Sequence, residues 1–149
     1  MNITEIRVKI LPRQRDKLRA FASVTVEGCL VVRDIKVIEG NNGLFVAMPS
    51  RKLCDRCPSC SGKNHVRSRF CNDCGTKLRG DRCRPDERGR PRLYADVAHP
   101  INQKSRDFVQ RAIIEAYGEE LERSKQEGYK AVEFNDLDYD YLAEYTSNG

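Results

Sequence analysis

The sequence CPSC at residues 57–60 is followed, after ten intervening residues, by CNDCG at residues 71–75. Each motif has the form Cys-x-x-Cys, a spacing that lets one tight turn direct two sulfur atoms at the same metal ion. Two such pairs this close together are typical of a tetrahedral zinc site. The sequence therefore predicts one structural Zn²⁺ held by four thiolates, those of Cys57, Cys60, Cys71 and Cys74.

Other interpretations of the cysteines remain open from sequence. Cys54 and Cys57 also form a Cys-x-x-Cys pair, which allows a shifted ligand frame, and Cys83 or His65 could replace one ligand. A redox dithiol would need such a pair at a helix start beside a β-α-β pattern, which is missing. Six of the seven cysteines lie between Cys54 and Cys83 with no secretion signal, so metal binding is favoured over a disulfide framework.

The proposed zinc site is structural rather than catalytic. A metal ion with four protein thiolates has no open position for water or substrate. Residues 54–90 contain few aliphatic side chains, so metal binding would supply the folding free energy of this insert, on the order of 10 kcal/mol.

Charge is concentrated around the cysteines. Residues 51–92 contain 13 basic and 5 acidic side chains, whereas residues 93–149 contain 6 basic and 12 acidic ones. Such a patch is typical of proteins that bind phosphate backbones, although a small zinc module also needs a charged surface to stay soluble. The basic side chains expected to contact DNA or RNA are those of Arg51, Lys52, Arg67 and Arg69.

Other residues near the cysteines could contact nucleic acid or could have a purely structural role. Phe70 or His65 could stack on an unpaired base, whereas Phe70 could equally pack against the small core of the insert. The arginines between Arg79 and Arg92 could form only a solvated linker. His99, beside Pro100, is interpreted as making a structural hydrogen bond.

The flanking sequence predicts an α+β fold. Alternating or β-branched residues predict strands over 3–11, 18–26, 29–38 and 44–48, separated by turns at Glu27-Gly28 and at residues 40–43. Four successive strands with short connections predict a small antiparallel meander. Cys29 is expected to be a buried, inert thiol in the third strand.

The C-terminal third predicts one more strand and one helix. Residues 93–98 have strand character, Asn102 is a candidate helix N-cap, and apolar residues recur at helical spacing from Phe108 to Leu121. Gly118 could kink or shorten this helix, and Gly128 could end it. The predicted organisation is a sheet-plus-helix domain (1–53 and 91–128), an inserted zinc ribbon (54–90) and an acidic, partly disordered tail (129–149).

Several classes of protein are disfavoured. No apolar run approaches the roughly 18–20 residues of a membrane span, and the first residues lack the pattern of a secretion signal. We therefore expect a cytoplasmic protein without membrane contact. The two histidines belong to no recognisable catalytic constellation, and the Gly40–Gly43 loop lacks the Lys-Ser/Thr of a P-loop. We expect no enzymatic activity.

Two stretches carry a family resemblance. RDIKVIEGNNGLFVAMPSRK at residues 33–52 and ADVAHPIN at residues 95–102 closely resemble the SpoVG (stage V sporulation protein G, septation protein) family of bacteria. The resemblance covers residues 1–53 and about 91–117, and Arg51-Lys52 matches the basic pair that follows Met-Pro-Ser in that family. This chain departs from the family pattern in two ways: an insertion of about 38 residues, which holds the cysteines, and the acidic tail.

The resemblance implies a dimeric DNA- or RNA-binding regulator with a small antiparallel sheet and a C-terminal helix, linked to septation and sporulation. The first functional hypothesis is therefore a sequence-tolerant nucleic-acid-binding protein, a homodimer, whose zinc ribbon extends the basic surface. The second is an adaptor in cell division or sporulation whose zinc ribbon binds another protein.

Overall fold

The computed structural model describes residues 1–12 and 16–133, which form two compact units. The first unit, termed the sheet unit, contains residues 1–47 and the chain from Pro100 onward. The second, termed the cysteine unit, contains residues 48–99. The boundaries predicted at 53/54 and 90/91 fall inside the cysteine unit. Most of the acidic tail, residues 134–149, lies outside the described residues.

A four-stranded antiparallel sheet forms the sheet unit, in the order β1-β2-β3-β4. Its strands are β1 (Ile3–Ile10), β2 (Leu18–Val26), β3 (Leu30–Gly40) and β4 (Gly43–Ala47). Each strand pairs with its neighbour in sequence, so the predicted meander is confirmed. Together with one C-terminal helix this gives the predicted α+β fold.

The central strand β2 is buried on both faces. The sequence predicts one buried face through Ala20, Ala22 and Val24, and all three are at most 3% exposed. Phe21 and Ser23, on the opposite face, are also only 2% and 5% exposed. Strand alternation identified the face of Ala20, Ala22 and Val24, but it did not show that the opposite face is covered as well.

The connection between β2 and β3 places Cys29 differently from the prediction. Val26 pairs with Leu30, so residues 27–29 form the loop, in which Glu27 and Gly28 have φ angles of 54° and 67°. Cys29 therefore lies in a turn and is exposed. The prediction of a buried strand thiol was wrong because the strand begins one residue later than its composition indicates.

The helix α1 runs from Gln103 to Ser124 and packs on the sheet. Its start is confirmed, because the Oδ1 of Asn102 accepts a hydrogen bond from the Ser105 N–H at 2.8 Å. The helix continues through Gly118 and ends four residues before Gly128, so neither glycine interrupts it. No helix in the described ranges is long and apolar enough to span a membrane.

Side chains at helical spacing attach α1 to the sheet. Val109, Ile113 and Tyr117 are buried, as are Val8 on β1 and Ile35 and Val37 on β3. Ile113 is completely buried. The apolar contact between one helix face and one sheet face is therefore the core of the sheet unit.

A matched pair of isoleucines tests this core. Ile113→Ala removes a fully buried side chain and is expected to lower the free energy of unfolding of the sheet unit by about 2–5 kcal/mol. The control is Ile101→Ala, whose parent side chain is 89% exposed and whose effect should stay within about 0.5 kcal/mol. Urea denaturation followed by circular dichroism measures both. Equal effects would contradict the packing described.

Candidate metal centre and basic surface

The two Cys-x-x-Cys motifs form the same turn twice. In the first, the Cys57 N–H donates to the Gly62 carbonyl at 2.8 Å, and the Ser61 N–H donates to the Cys57 carbonyl at 2.9 Å. In the second, the N–H groups of Cys71 and Gly75 make the equivalent bonds at 2.8 and 3.0 Å, to the carbonyls of Thr76 and Cys71. We call these turns the first and second knuckle.

The residue after each second cysteine has left-handed backbone geometry. It is Ser61 in the first knuckle, with φ of 62°, and Gly75 in the second, with φ of 78°. Glycine adopts this conformation readily, which explains the second motif's Cys-Gly. Serine at the matching position shows that the first knuckle is held in this geometry by its surroundings.

Short strands and bridges place the knuckles. Strand β6 (Cys54–Arg56) pairs antiparallel with β7 (Lys63–His65), and the first knuckle connects them. The second knuckle is closed by an antiparallel bridge between Phe70 and Lys77. Each knuckle is therefore the tip of a short hairpin.

The four predicted ligands converge. The Sγ atoms of Cys57 and Cys74 are 3.7 Å apart, and those of Cys60 and Cys71 are 3.6 Å apart. All four sulfur atoms lie within 4.8 Å of one another. A disulfide needs sulfurs about 2.05 Å apart, whereas a tetrahedron with metal–sulfur bonds of about 2.3 Å has edges of about 3.8 Å. The cluster therefore has the dimensions of a four-coordinate metal site.

Donors surround the sulfur atoms as thiolates require. The N–H groups of Ser59, Gly62 and Asp73 point at Cys57, Cys60 and Cys71 at 3.3–3.4 Å. The Thr76 hydroxyl lies 3.1 Å from the sulfur of Cys74. Such hydrogen bonds stabilise negative charge on sulfur and orient the ligand.

The pKa values of the thiols differ because each sulfur has a different set of hydrogen-bond partners. The Cys74 N–H and the Asn64 side chain lower the pKa of Cys71 to about 6, and the Thr76 hydroxyl lowers that of Cys74. The Gly62 N–H acts to lower the pKa of Cys60. The hydrogen bonds of the Cys60 thiol with the thiols of Cys71 and Cys74 nevertheless raise this pKa to about 12. A metal ion bound by all four thiolates must therefore displace protons.

Asn64 is a supporting residue that sequence reasoning missed. Its side chain is buried, and its Nδ2 donates to the Gly62 carbonyl at 3.2 Å and to the Cys71 sulfur at 3.3 Å. Its Oδ1 accepts from the Asn72 N–H at 2.8 Å. Asn64 thus joins the first knuckle to the second. The sequence offered one indication: Asn64 is a polar residue between the two cysteine pairs, in a segment with too few apolar residues to form a core by itself.

The other ligand candidates stand apart. Cys54 lies on β6 opposite His65 on β7, and its Sγ donates to the Lys52 carbonyl at 3.5 Å. The Cys83 thiol donates to the Arg92 carbonyl at 3.4 Å. In the described part of the chain, only the four knuckle cysteines form a group of potential metal ligands.

The core of the cysteine unit is small. Within residues 48–99 the buried hydrophobic side chains are those of Cys57, Cys71 and Leu78. Two of these three are candidate metal ligands. The sulfur cluster is therefore part of the small apolar core of this unit.

The basic residues predicted from sequence are exposed but not gathered at one point. Arg51 and Lys52 lie on β5 (Ser50–Lys52), which pairs with β8 (Tyr94–Asp96). Arg67 and Arg69 precede the second knuckle and line a cleft of about 500 Å³ together with Arg79. Neither Arg51 nor Lys52 lines this cleft.

The two candidates for base stacking have different environments. Phe70 is 59% exposed, so its ring is not part of the core. The Nδ1 of His65 accepts the Arg67 N–H at 3.4 Å. The Nε2 of His65 is buried and has no hydrogen-bond partner in the described chain. Phe70 is therefore the ring that remains available to a ligand.

Residues 79–92 are folded rather than a solvated linker. The Arg82 guanidinium forms an ion pair with Asp55 and donates to the carbonyls of His65, at 3.2 Å, and Ser68, at 2.5 Å. The carboxylate of Asp86 accepts the N–H groups of Arg88 and Arg90 at 2.9 Å each. Sequence reasoning missed these roles because both residues resemble their exposed, charged neighbours.

Two single substitutions, Asn64→Ala and Asn72→Ala, test whether Asn64 supports the candidate metal site. Asn64→Ala removes a donor to Cys71 and the bridge between knuckles, and it is expected to weaken metal retention about 10-fold or more. Competition of the metal-loaded protein with a chelator measures this. Asn72→Ala is the control, because only the backbone N–H of the exposed Asn72 takes part in the bridge. Equal metal retention in both variants would contradict the role of Asn64.

Comparison with known proteins identifies the family. The SpoVG family model matches residues 1–119. A relative named septation protein SpoVG in Bdellovibrio bacteriovorus is 37% identical over 121 residues, covering 81% of this chain and 77% of its own length. One of the same name in Caldicellulosiruptor bescii is 36% identical, covering 78% and 91%. Another in Myxococcus xanthus is 33% identical, covering 93% of this chain and its own full length. The chain therefore belongs to the SpoVG family.

Proposed function

We propose that this protein is a DNA- or RNA-binding regulator of the SpoVG type whose cysteine unit provides the basic surface. The observation that carries the proposal is the distribution of charge between the two units. Residues 48–99 contain 13 basic and 6 acidic side chains, whereas the rest of the chain contains 14 basic and 16 acidic ones. A compact unit with a large excess of basic side chains, in a chain whose other residues are slightly acidic overall, favours binding to phosphates through one part of the molecule.

The environment of the basic side chains supports this proposal. Arg51, Lys52, Arg67 and Arg69 are exposed. Within the described ranges, their side chains have no hydrogen-bond or ion-pair partner. Phosphate oxygens would match these charges without the loss of an internal ion pair. Phe70, exposed next to Arg69, could stack on an unpaired base.

We further propose that the metal is Zn²⁺. Four thiolates at tetrahedral spacing suit zinc, and the site has no protein oxygen ligand of the kind that calcium and magnesium prefer. Such a site would be structural. It would hold Arg67, Arg69 and Phe70 in place, because these residues lie directly before the second knuckle.

Metal analysis tests the zinc proposal. The purified chain should contain about one zinc per molecule, and Cys57→Ser with Cys71→Ser should abolish binding because two of the four ligands are lost. Cys54→Ser with Cys83→Ser is the matched control, since both thiols lie outside the cluster. The zinc proposal fails if the control variant loses the ion while the knuckle variant retains it.

The cellular role proposed here is control of septation or sporulation. The relatives in Bdellovibrio and Caldicellulosiruptor are named septation proteins. Nucleic-acid binding through the cysteine unit would let this chain act on expression or on the nucleic acid itself during division. A homodimer, as the family resemblance implies, would double the basic surface available to one strand.

Salt-dependent binding tests the nucleic-acid function. Fluorescence anisotropy with labelled DNA and RNA should detect a complex at about 50 mM salt that weakens steeply by about 200 mM, because bound counterions are released. Arg67→Ala with Arg69→Ala should weaken binding roughly 10-fold at the lower salt and reduce the salt dependence, since two phosphate contacts are lost.

The control is Arg106→Ala with Arg111→Ala, which removes the same charge from exposed positions on α1 of the sheet unit. It should bind like the unaltered protein. If no complex forms with either nucleic acid at low salt, the proposal fails. The protein-interaction adaptor would then be the better hypothesis.

A further inference from the structure

The cysteine unit contains a second, larger cleft that the zinc site does not explain. It has a volume of about 810 Å³, within the range of small-ligand sites. Its apolar lining comes from segments that are distant in sequence, with the residues Leu53, Pro58, Val66, Leu78 and Pro85. Leu78, one of the few buried residues of the unit, is part of this lining.

Four arginines line the same cleft, and two of them are neutralised. Arg79 pairs with Asp81 at 2.8 Å, and Arg82 pairs with Asp55 while also donating to backbone carbonyls. These two guanidiniums are engaged within the protein. Arg79 and Arg82 therefore do not need an anionic ligand to neutralise their charge.

The other two, Arg84 and Arg92, lie opposite each other on a short hairpin. The Arg92 N–H donates to the Arg84 carbonyl at 3.0 Å, next to an antiparallel bridge between Pro85 and Pro91. Both residues line the cleft. In the described part of the chain, neither guanidinium has a hydrogen-bond or ion-pair partner.

Two like charges directly opposite on paired strands are destabilising. The hairpin nevertheless holds them there, because Asp86 closes its tip with bonds to the N–H groups of Arg88 and Arg90. Arg82 fixes the preceding segment to β7 through the His65 carbonyl. The backbone positions of the pair are therefore fixed, and an anion bound by the two exposed guanidiniums would relieve their repulsion.

We propose that this cleft binds one unpaired nucleotide of a single-stranded nucleic acid. The phosphate lies against Arg84 and Arg92, and the base lies against the apolar lining. This inference rests on the proposed nucleic-acid function and specifies the strand form that the site takes. Guanidinium groups match phosphate oxygens bidentately, whereas a stacked base within a duplex cannot enter a cleft.

The apolar lining favours a nucleotide over an acidic peptide. Asp and Glu carry only one or two methylene groups between backbone and charge, so their side chains would leave most of the lining uncovered. A base is flat and presents a wide face to apolar and guanidinium groups. The cleft thus combines two phosphate-binding groups with a surface of the right kind for a base.

Anisotropy titrations with the full, zinc-loaded chain test the proposal. The probes are a labelled 12-nucleotide single strand of DNA and the duplex of the same sequence. Arg84→Ala with Arg92→Ala should weaken single-strand binding about 10-fold and lower the salt slope by about 1.4, since each phosphate contact in a single strand contributes about 0.7. Duplex affinity should change less than about 3-fold.

Three controls accompany this variant. Its zinc content should equal that of the unaltered protein, which shows that the unit has folded. Arg106→Ala with Arg111→Ala removes the same charge elsewhere and should leave both affinities unchanged. A 12-unit abasic strand, which keeps the phosphates but lacks the bases, should bind the unaltered protein about 10-fold more weakly than the base-bearing strand.

The outcomes distinguish failure of the cleft proposal from failure of the proposed nucleic-acid function. If the unaltered protein binds nucleic acid but Arg84→Ala with Arg92→Ala binds the single strand equally well, the cleft proposal is overturned and the proposed function stands. Equal losses for single strand and duplex, equal binding of the abasic strand, or displacement by a 12-residue polyglutamate would also overturn it. If the unaltered protein binds neither probe, the proposed function itself fails.

Discussion

The convergence of four sulfur atoms is the interaction on which the cysteine unit depends. Ordering each residue costs about 1–2 kcal/mol of backbone entropy, and the unit's buried hydrophobic side chains within residues 48–99 are only Cys57, Cys71 and Leu78. Apolar burial on this scale cannot offset that cost. A bound metal ion would add a large free energy that exists only in the folded arrangement. The sheet unit differs because the apolar contact between α1 and its strands forms a conventional core.

The rest of the cysteine unit is arranged around the two knuckles through polar contacts. Asn64 connects the knuckles, and Arg82 ties residues 79–92 back to Asp55, His65 and Ser68. Partly buried hydrogen bonds and ion pairs of this kind favour one arrangement of the segments that they join. Because these partners hold Arg82, the exposed arginines before and after it are presented by a folded support. The charge of the unit is therefore positioned by the same contacts that replace an apolar core.

Local sequence patterns predicted the parts of the fold that depend on local chemistry. Strand alternation, the turn at Glu27-Gly28, the cap at Asn102 and the cysteine spacing each have a direct physical cause within a few residues. The features that sequence missed depend on distant partners. Cys29 is exposed because Val26 pairs with Leu30, and Asn64 and Arg82 are important only because of residues 7–27 positions away. No local pattern separates Arg82 from the exposed arginines near it.

The cysteine unit also begins and ends at one place. Ser50 pairs with Asp96, and the Val97 N–H donates to the Pro49 carbonyl at 2.8 Å, so the entering and leaving strands run side by side. A module with adjacent ends replaces a surface loop without drawing its neighbours apart. The segment between these paired strands, which holds the four knuckle cysteines, can therefore differ in length while β5 and β8 keep their pairing. This geometry explains how a cysteine-rich segment can stand in the sequence between the last sheet strand and the helix of a small sheet-and-helix protein.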